Sequence, residues 1–168
     1  MRLGHSLVCF ILLVPSLALA APAHAHGAAR MDLAVEGDRL TIAMEMPLDN
    51  MVGFEHLPRT AREKAALAES MRTLGNAAEL FIPTPEAGCK PVSAQVGDPF
   101  PGGKAKADGH SDMDADYAFR CANPAALSGV KTTLFRHFRR LQRIDVQRVT
   151  PSGQGAARMT PEQPAMSW

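Results

Sequence analysis

The clearest structural signal in the sequence is residues 31–46, which read MDLAVEGDRLTIAMEM. Apolar residues alternate with polar or small ones over residues 31–36 and again over residues 40–46. This is the period of a strand that buries one face. The pair Gly37-Asp38 between the two runs is typical of a two-residue turn. The stretch therefore predicts an antiparallel hairpin, and a sheet as the base of the fold.

One helix is predicted after Pro58. Thr60 and Glu63 form the T-x-x-E pattern of a capping box, which marks the start of a helix. Apolar residues then recur at helical spacing; these are Leu67, Met71 and Leu74. We therefore expect one amphipathic helix that packs one face against the sheet.

The rest of the chain contains short segments typical of strands, separated by proline and glycine. They cover residues 80–82, 89–96, 117–121, 130–138, 144–150 and 156–160. Short strands with a single helix predict an α+β fold, mainly antiparallel β and sandwich-like. We expect one domain over residues 21–168, because the sequence shows no internal repeat and no second composition pattern.

The first residues predict export from the cytoplasm. Arg2 precedes a short apolar run at residues 7–14, and residues 18–20 read Ala-Leu-Ala, the small-residue pattern that a signal peptidase recognises. The run is shorter than the ~20 residues that span a bilayer. It therefore predicts a cleaved signal peptide at residues 1–20, with a cut between residues 20 and 25, and no membrane anchor. We expect a periplasmic protein.

Two cysteines remain after the signal peptide, Cys89 and Cys121. In an oxidising compartment such a pair predicts one disulfide, which would join two neighbouring strands. The formal net charge of +1 gives no overall attraction to nucleic acid. The sequence has no nucleophile–base arrangement, no glycine-rich phosphate loop and no H-E-x-x-H motif. We therefore expect neither an enzyme nor a nucleic-acid-binding protein.

Two segments carry candidate metal ligands. The first is a mobile acidic loop predicted at residues 97–116, where a divalent cation would offset the repulsion between carboxylates. Its candidate ligands are Asp108, His110, Asp112 and Asp114. The second is the sequence His24-Ala25-His26-Gly27, whose two imidazoles could share an ion. The alternatives are a solvated acidic loop and a remnant of the signal junction.

The sequence resembles the ZrgA-type periplasmic zinc-binding proteins of bacteria, which are associated with zinc uptake. The matching strings are HAHG at 24–27, NMVGFEH at 50–56, FRCANP at 119–124 and VTPSGQ at 149–154, together with the hairpin and Gly88-Cys89. They occur in the same order over nearly the whole chain after the signal peptide. The resemblance implies zinc binding in the periplasm, and support of the periplasmic binding protein of a zinc ABC importer.

One departure from that pattern bears on zinc capacity. Such proteins typically carry a long segment rich in histidine, aspartate and glutamate between the two cysteine strands. This chain has Gly103-Lys104-Ala105-Lys106 there, followed by one histidine, His110. Fewer imidazoles predict a weaker zinc site. The histidines that remain as candidate ligands are His24, His26, His56 and His110. For His56, the alternative is a hydrogen-bonded structural residue, because it follows apolar Phe54 closely.

The sequence thus predicts a zinc-binding accessory protein that buffers or hands over zinc in support of zinc uptake. The alternative is a periplasmic protein-interaction module with little or no metal binding. Its candidate surface is a basic stretch made of Arg136, Arg139, Arg140, Arg143 and Arg148. A solvated face is the competing interpretation of that stretch.

Overall fold

The structure is a computed structural model that describes residues 25–105 and 109–168. Within these ranges the strands are β1 (Ala28–Glu36), β2 (Arg39–Pro47), β3 (Phe81–Pro83), β4 (Cys89–Val96), β5 (Asp112–Cys121), β6 (Gly129–Thr132), β7 (Arg143–Thr150), β8 (Gly153–Met159) and β9 (Ala165–Ser167). The α-helices are α1 (Asp49–Val52), α2 (Ala61–Leu74), α3 (Ala77–Leu80) and α4 (Leu134–His137). Short 3₁₀ turns occur at Pro85–Ala87, Pro101–Gly103 and Pro124–Ala126. The predicted signal peptide lies outside the described residues.

A six-stranded sheet forms the base of the fold, in the order β4-β5-β2-β1-β7-β8. Its neighbouring strands are antiparallel except β1 and β7, which run parallel. A smaller antiparallel sheet has the order β3-β6-β9. Buried apolar side chains from both sheets and from α2 belong to one cluster. The predicted α+β fold, mainly antiparallel, is confirmed.

The predicted hairpin is formed by β1 and β2. Leu33 lies opposite Ile42 and Met31 lies opposite Met44, and all four side chains are buried. The intervening residues, such as Asp32, face solvent. Gly37 in the turn has a φ of 56°, a conformation that glycine adopts without strain. The alternation in the sequence therefore corresponds to one core-facing and one solvent-facing side of the sheet.

The predicted helix is α2, and its capping box is present. The Thr60 hydroxyl accepts a hydrogen bond from the backbone N–H of Glu63 at 3.1 Å, and the Glu63 carboxylate accepts one from the backbone N–H of Thr60 at 3.0 Å. The backbone N–H groups of Thr60 and Arg59 both donate to the Glu63 carboxylate and lower its pKa. Leu74 is fully buried, whereas Leu67 and Met71 are partly buried against the core. The helix thus docks mainly through its C-terminal turn.

Strand β5 begins earlier than the sequence indicated. It starts at Asp112 rather than at Tyr117, so the last five residues of the predicted loop 97–116 belong to a strand. The reason is that apolar and acidic residues alternate along this segment. Met113 and Ala115 are buried, whereas Asp114 and Asp116, which follow them in turn, are exposed. The spaced aspartates are the solvent face of an amphipathic strand.

Two further segments differ from the sequence prediction. Residues 130–138 were expected to form one strand, but β6 ends at Thr132 and the short helix α4 follows. The Thr132 hydroxyl donates to the Leu80 carbonyl and accepts from the Leu134 N–H, which turns the chain out of the sheet. Strand β9 was not predicted, because three residues around Met166 are too few to show a period.

The predicted disulfide between Cys89 and Cys121 is confirmed. The two residues are directly opposite each other where β4 begins and β5 ends. Since β5 is ten residues long, its two ends are separated by about 30 Å. The disulfide therefore lies at the end of the sheet opposite the start of β5.

Tyr117 carries a buried hydroxyl whose removal should raise stability. Tyr117 is 2% exposed and stacks at a tilt on Phe81, and its hydroxyl has no hydrogen-bond partner among the described residues. Burial raises the pKa of this hydroxyl. An unsatisfied buried hydroxyl costs about 1–3 kcal/mol. We expect Tyr117→Phe to raise the free energy of unfolding by about 1 kcal/mol, measured by urea denaturation; a clear loss of stability would show that the hydroxyl is bonded in solution.

Candidate metal centre

The segment that carries His26 is fastened to the sheet through its backbone. Gly27 donates its N–H to the Asn50 side-chain oxygen at 2.6 Å, and the Asn50 amide donates to the Ala28 carbonyl at 2.7 Å. Asn50 is fully buried. Gly27 has a φ of 80°, and a Cβ there would lie 3.3 Å from the Gln142 side chain, so glycine is required. These contacts hold the backbone next to His26 while its side chain stays 57% exposed.

Helix α1 supplies a carboxylate on one side of His26. Asp49, the first residue of α1, has a side chain that is only 12% exposed and lies 3.9 Å from Nδ1 of His26. Arg140 binds both carboxylate oxygens of Asp49, at 2.8 and 2.7 Å, and its Nε donates to the Asp49 carbonyl at 2.9 Å. The bidentate pair compensates the charge of the largely buried Asp49.

Glu55 lies on the other side of His26, in the loop that follows α1. The helix ends at Gly53, which has a φ of 83° and donates its N–H to the Asp49 carbonyl. This left-handed turn reverses the chain, and the Glu55 side chain is only 10% exposed. Its Oε1 lies 3.2 Å from Nε2 of His26. The imidazole of His26 therefore stands between two carboxylates, Asp49 at Nδ1 and Glu55 at Nε2.

His110 reaches the same carboxylate from a third segment. It precedes β5, and the neighbouring Ser111 carbonyl accepts a hydrogen bond from the Leu48 N–H, which ties this segment to the start of α1. Nδ1 of His110 lies 2.8 Å from Oε2 of Glu55, and the His110 side chain is 52% exposed. Glu55 is thus bracketed by two imidazoles, one at each of its oxygens.

One donor atom from each of His26, Glu55 and His110 lies within 4.8 Å of the other two. Zinc binds histidine nitrogen and carboxylate oxygen at ~2.0–2.2 Å, which places two donors of a tetrahedral site ~3.4 Å apart. The separations of 3.2 and 2.8 Å to Glu55 are already close to that value. The remaining gap must close by roughly 1.4 Å at most, which exposed histidine side chains accomplish by small rotations. The donor set and its spacing fit a zinc ion.

Most of the chain that carries this site matches one protein family. The family described as "ZrgA family zinc uptake protein" matches residues 23–168. The chain belongs to the ZrgA family. A comparison with curated proteins finds no match. No helix in the described part of this ZrgA-family protein is long and apolar enough to cross a membrane.

The structure of this ZrgA-family protein brings together two of the candidate ligands named from the sequence, His26 and His110. It places His56 elsewhere: the ring stacks on Phe54 with centroids 5.0 Å apart, and Nδ1 lies 2.9 Å from the Leu57 carbonyl. The strand aspartates Asp112 and Asp114 are not members of the cluster. Asp114 is exposed and opposite Glu45. His24 and Asp108 lie outside the described residues.

Glu55 is the member of the cluster that the sequence analysis missed. It lies in the string NMVGFEH, directly before His56. The sequence offered His56 as the candidate ligand there, because histidine is the more common zinc ligand. One local signal was available: Gly53 allows the left-handed conformation that ends α1, and Glu55 follows it by two residues. In this ZrgA-family protein the acidic residue faces the imidazoles, whereas His56 turns back onto its own loop.

Proposed function

We propose that the protein is a periplasmic zinc carrier, which binds zinc at His26, Glu55 and His110 and hands it over in support of zinc uptake. The observation that carries the proposal is the convergence of two imidazoles and one carboxylate from three separate segments of the chain. Membership of a zinc uptake family supports the choice of cargo. The predicted signal peptide supports the compartment.

The chemistry of the donors favours zinc over other common cations. Magnesium and calcium prefer sites made of oxygen ligands alone, whereas two imidazoles with one carboxylate suit zinc. The two cysteines outside the predicted signal peptide are joined in the disulfide and supply no thiolate. A site without sulfur holds zinc less firmly than a thiolate site does. Such a site suits an ion that must be released again.

The position of the cluster suits transfer rather than a structural role. The His26 and His110 side chains are more than half exposed, while the hydrophobic cluster of the domain forms elsewhere, from apolar side chains. Three protein ligands leave one tetrahedral position for water or for a ligand of a receiving protein. Zinc can therefore pass to a partner by exchange of ligands, without unfolding of the carrier and without chemical conversion.

We further propose that the receiver is the periplasmic binding protein of a zinc ABC importer. The support for this partner is the association of the family with zinc uptake. The interaction-module alternative gains no support from the basic stretch. Arg140 binds Asp49 and Arg143 binds Asp145. Arg148 donates to the Thr150 hydroxyl at 3.5 Å, so three of the five arginines bind other side chains of this chain.

Competition of the protein, without residues 1–20, against a chromogenic zinc indicator tests the proposal. We expect one zinc ion bound per chain. Zinc competes with protons for imidazole, so binding should weaken as the pH falls from about 7.5 to about 5.5. Zinc binding no stronger than that of an unrelated acidic protein of the same size would contradict the proposal.

A further inference from the structure

Asp49 is placed to control which nitrogen of His26 binds the metal. If zinc binds between His26 and Glu55, it must use Nε2, the nitrogen 3.2 Å from Glu55. A neutral imidazole that binds metal through one nitrogen carries its proton on the other. For His26 that other nitrogen is Nδ1, and the Asp49 carboxylate lies on that side, 3.9 Å away.

We infer that Asp49 is a positioning residue for zinc: it accepts the Nδ1 proton of His26 and thereby presents Nε2 to the ion. The inference rests on the proposed zinc function. The separation of 3.9 Å is longer than a hydrogen bond, and the exposed His26 ring must move by about 1 Å to close it. A carboxylate on the second nitrogen of a histidine ligand fixes the orientation of the ring and strengthens its bond to zinc.

Arg140 explains why Asp49 serves as an acceptor and not as a fourth ligand. Its guanidinium binds both carboxylate oxygens and the Asp49 backbone carbonyl, so the carboxylate is held in one orientation. The paired positive charge also weakens the attraction of Asp49 for a second cation. Asn50, the next residue in α1, holds the backbone that follows His26 through its hydrogen bonds with Gly27 and Ala28.

The test measures zinc affinity by indicator competition for wild type, Asp49→Asn and Asp49→Ala. We expect dissociation constants weaker by about 10-fold for Asp49→Asn and nearer 100-fold for Asp49→Ala, because an amide oxygen still accepts the proton but carries no charge. Asp38→Asn is the matched control: Asp38 also faces an arginine, Arg120 at 3.5 Å, but lies at the β1–β2 turn next to the disulfide end. Its zinc affinity should equal that of wild type.

A spectroscopic measurement separates positioning from a merely structural effect. Long-range ¹H–¹⁵N spectra of the zinc-loaded protein report which nitrogen of His26 is protonated. We expect a proton on Nδ1 and the metal on Nε2, and in zinc-free Asp49→Ala a shift of the His26 proton towards Nε2. Zinc on Nδ1 in wild type would overturn the inference.

The affinities also separate the two proposals. Wild-type affinity in Asp49→Ala, beside weakened binding in His26→Ala, would overturn the positioning role alone. Wild-type affinity in His26→Ala would overturn the proposed site, and the role of Asp49 with it. Circular dichroism of each variant establishes whether it is folded. If Asp49→Ala does not fold, the test relies on Asp49→Asn, which keeps the shape of the side chain.

Discussion

Replacing Glu55 by alanine should weaken zinc binding more than replacing either of the two histidines of the cluster, His26 and His110. Glu55 is the residue that both imidazoles share, with His26 at one carboxylate oxygen and His110 at the other. Its removal takes away a ligand and the only charge that the ion meets directly in the cluster. Loss of an outer partner costs about 10- to 100-fold in metal affinity, and loss of a ligand should exceed that range. Indicator competition measures the change.

The adjacent histidine provides a matched control. His56→Ala removes an imidazole that stacks on Phe54 and contacts the Leu57 carbonyl, so zinc affinity should stay at the wild-type value. Glu55→Gln keeps the shape of the side chain and should bind zinc more weakly than wild type, because an amide is a poorer donor than a carboxylate. A wild-type affinity in Glu55→Ala, or a loss of affinity in His56→Ala alone, would show that zinc binds elsewhere.

The second large effect is on stability and should leave zinc binding unchanged. The Cys89–Cys121 disulfide spans 32 positions in sequence. Closing a loop of that length stabilises a folded chain by about 3.5–4 kcal/mol on the chain-entropy model. We therefore expect the double variant Cys89→Ala, Cys121→Ala to lose about that much free energy of unfolding in urea denaturation. Its zinc affinity should match that of wild type, because the disulfide and the start of β5 are at opposite ends of the sheet.

Reduction of the wild-type protein gives an independent measurement of the same effect. A phosphine reductant is required, since a dithiol would itself chelate zinc. The reduced protein should unfold at the same lower urea concentration as the double variant and should keep its zinc affinity while folded. A parallel fall of stability and zinc affinity would contradict the separation of the two sites, and would mean that the ends of β5 are energetically coupled.

Local patterns predicted the parts of the fold that depend on neighbours in sequence. The β1–β2 hairpin followed from alternation and a turn pair, and α2 followed from the Thr60–Glu63 box, since both signals are complete within a few residues. The disulfide followed from counting the cysteines of a chain whose first residues predict export. The secondary structure of the spaced aspartates was harder to predict, because a solvated acidic loop and the exposed face of a strand share the same sequence pattern. Burial of Met113 and Ala115 distinguishes them.

The amino-acid sequence by itself determined the fold class, the disulfide, the resemblance to a zinc-uptake family and both histidines of the candidate site. The tertiary structure alone decided which carboxylate joins them. His110 and Glu55 are 55 positions apart in sequence. The cluster forms because the turn at Gly53, the anchored segment at Gly27 and the start of β5 lie together at one end of the sheet. No local sequence period predicts that these three segments lie together, because ligand geometry depends on distances in space and a sequence pattern records only distances along the chain.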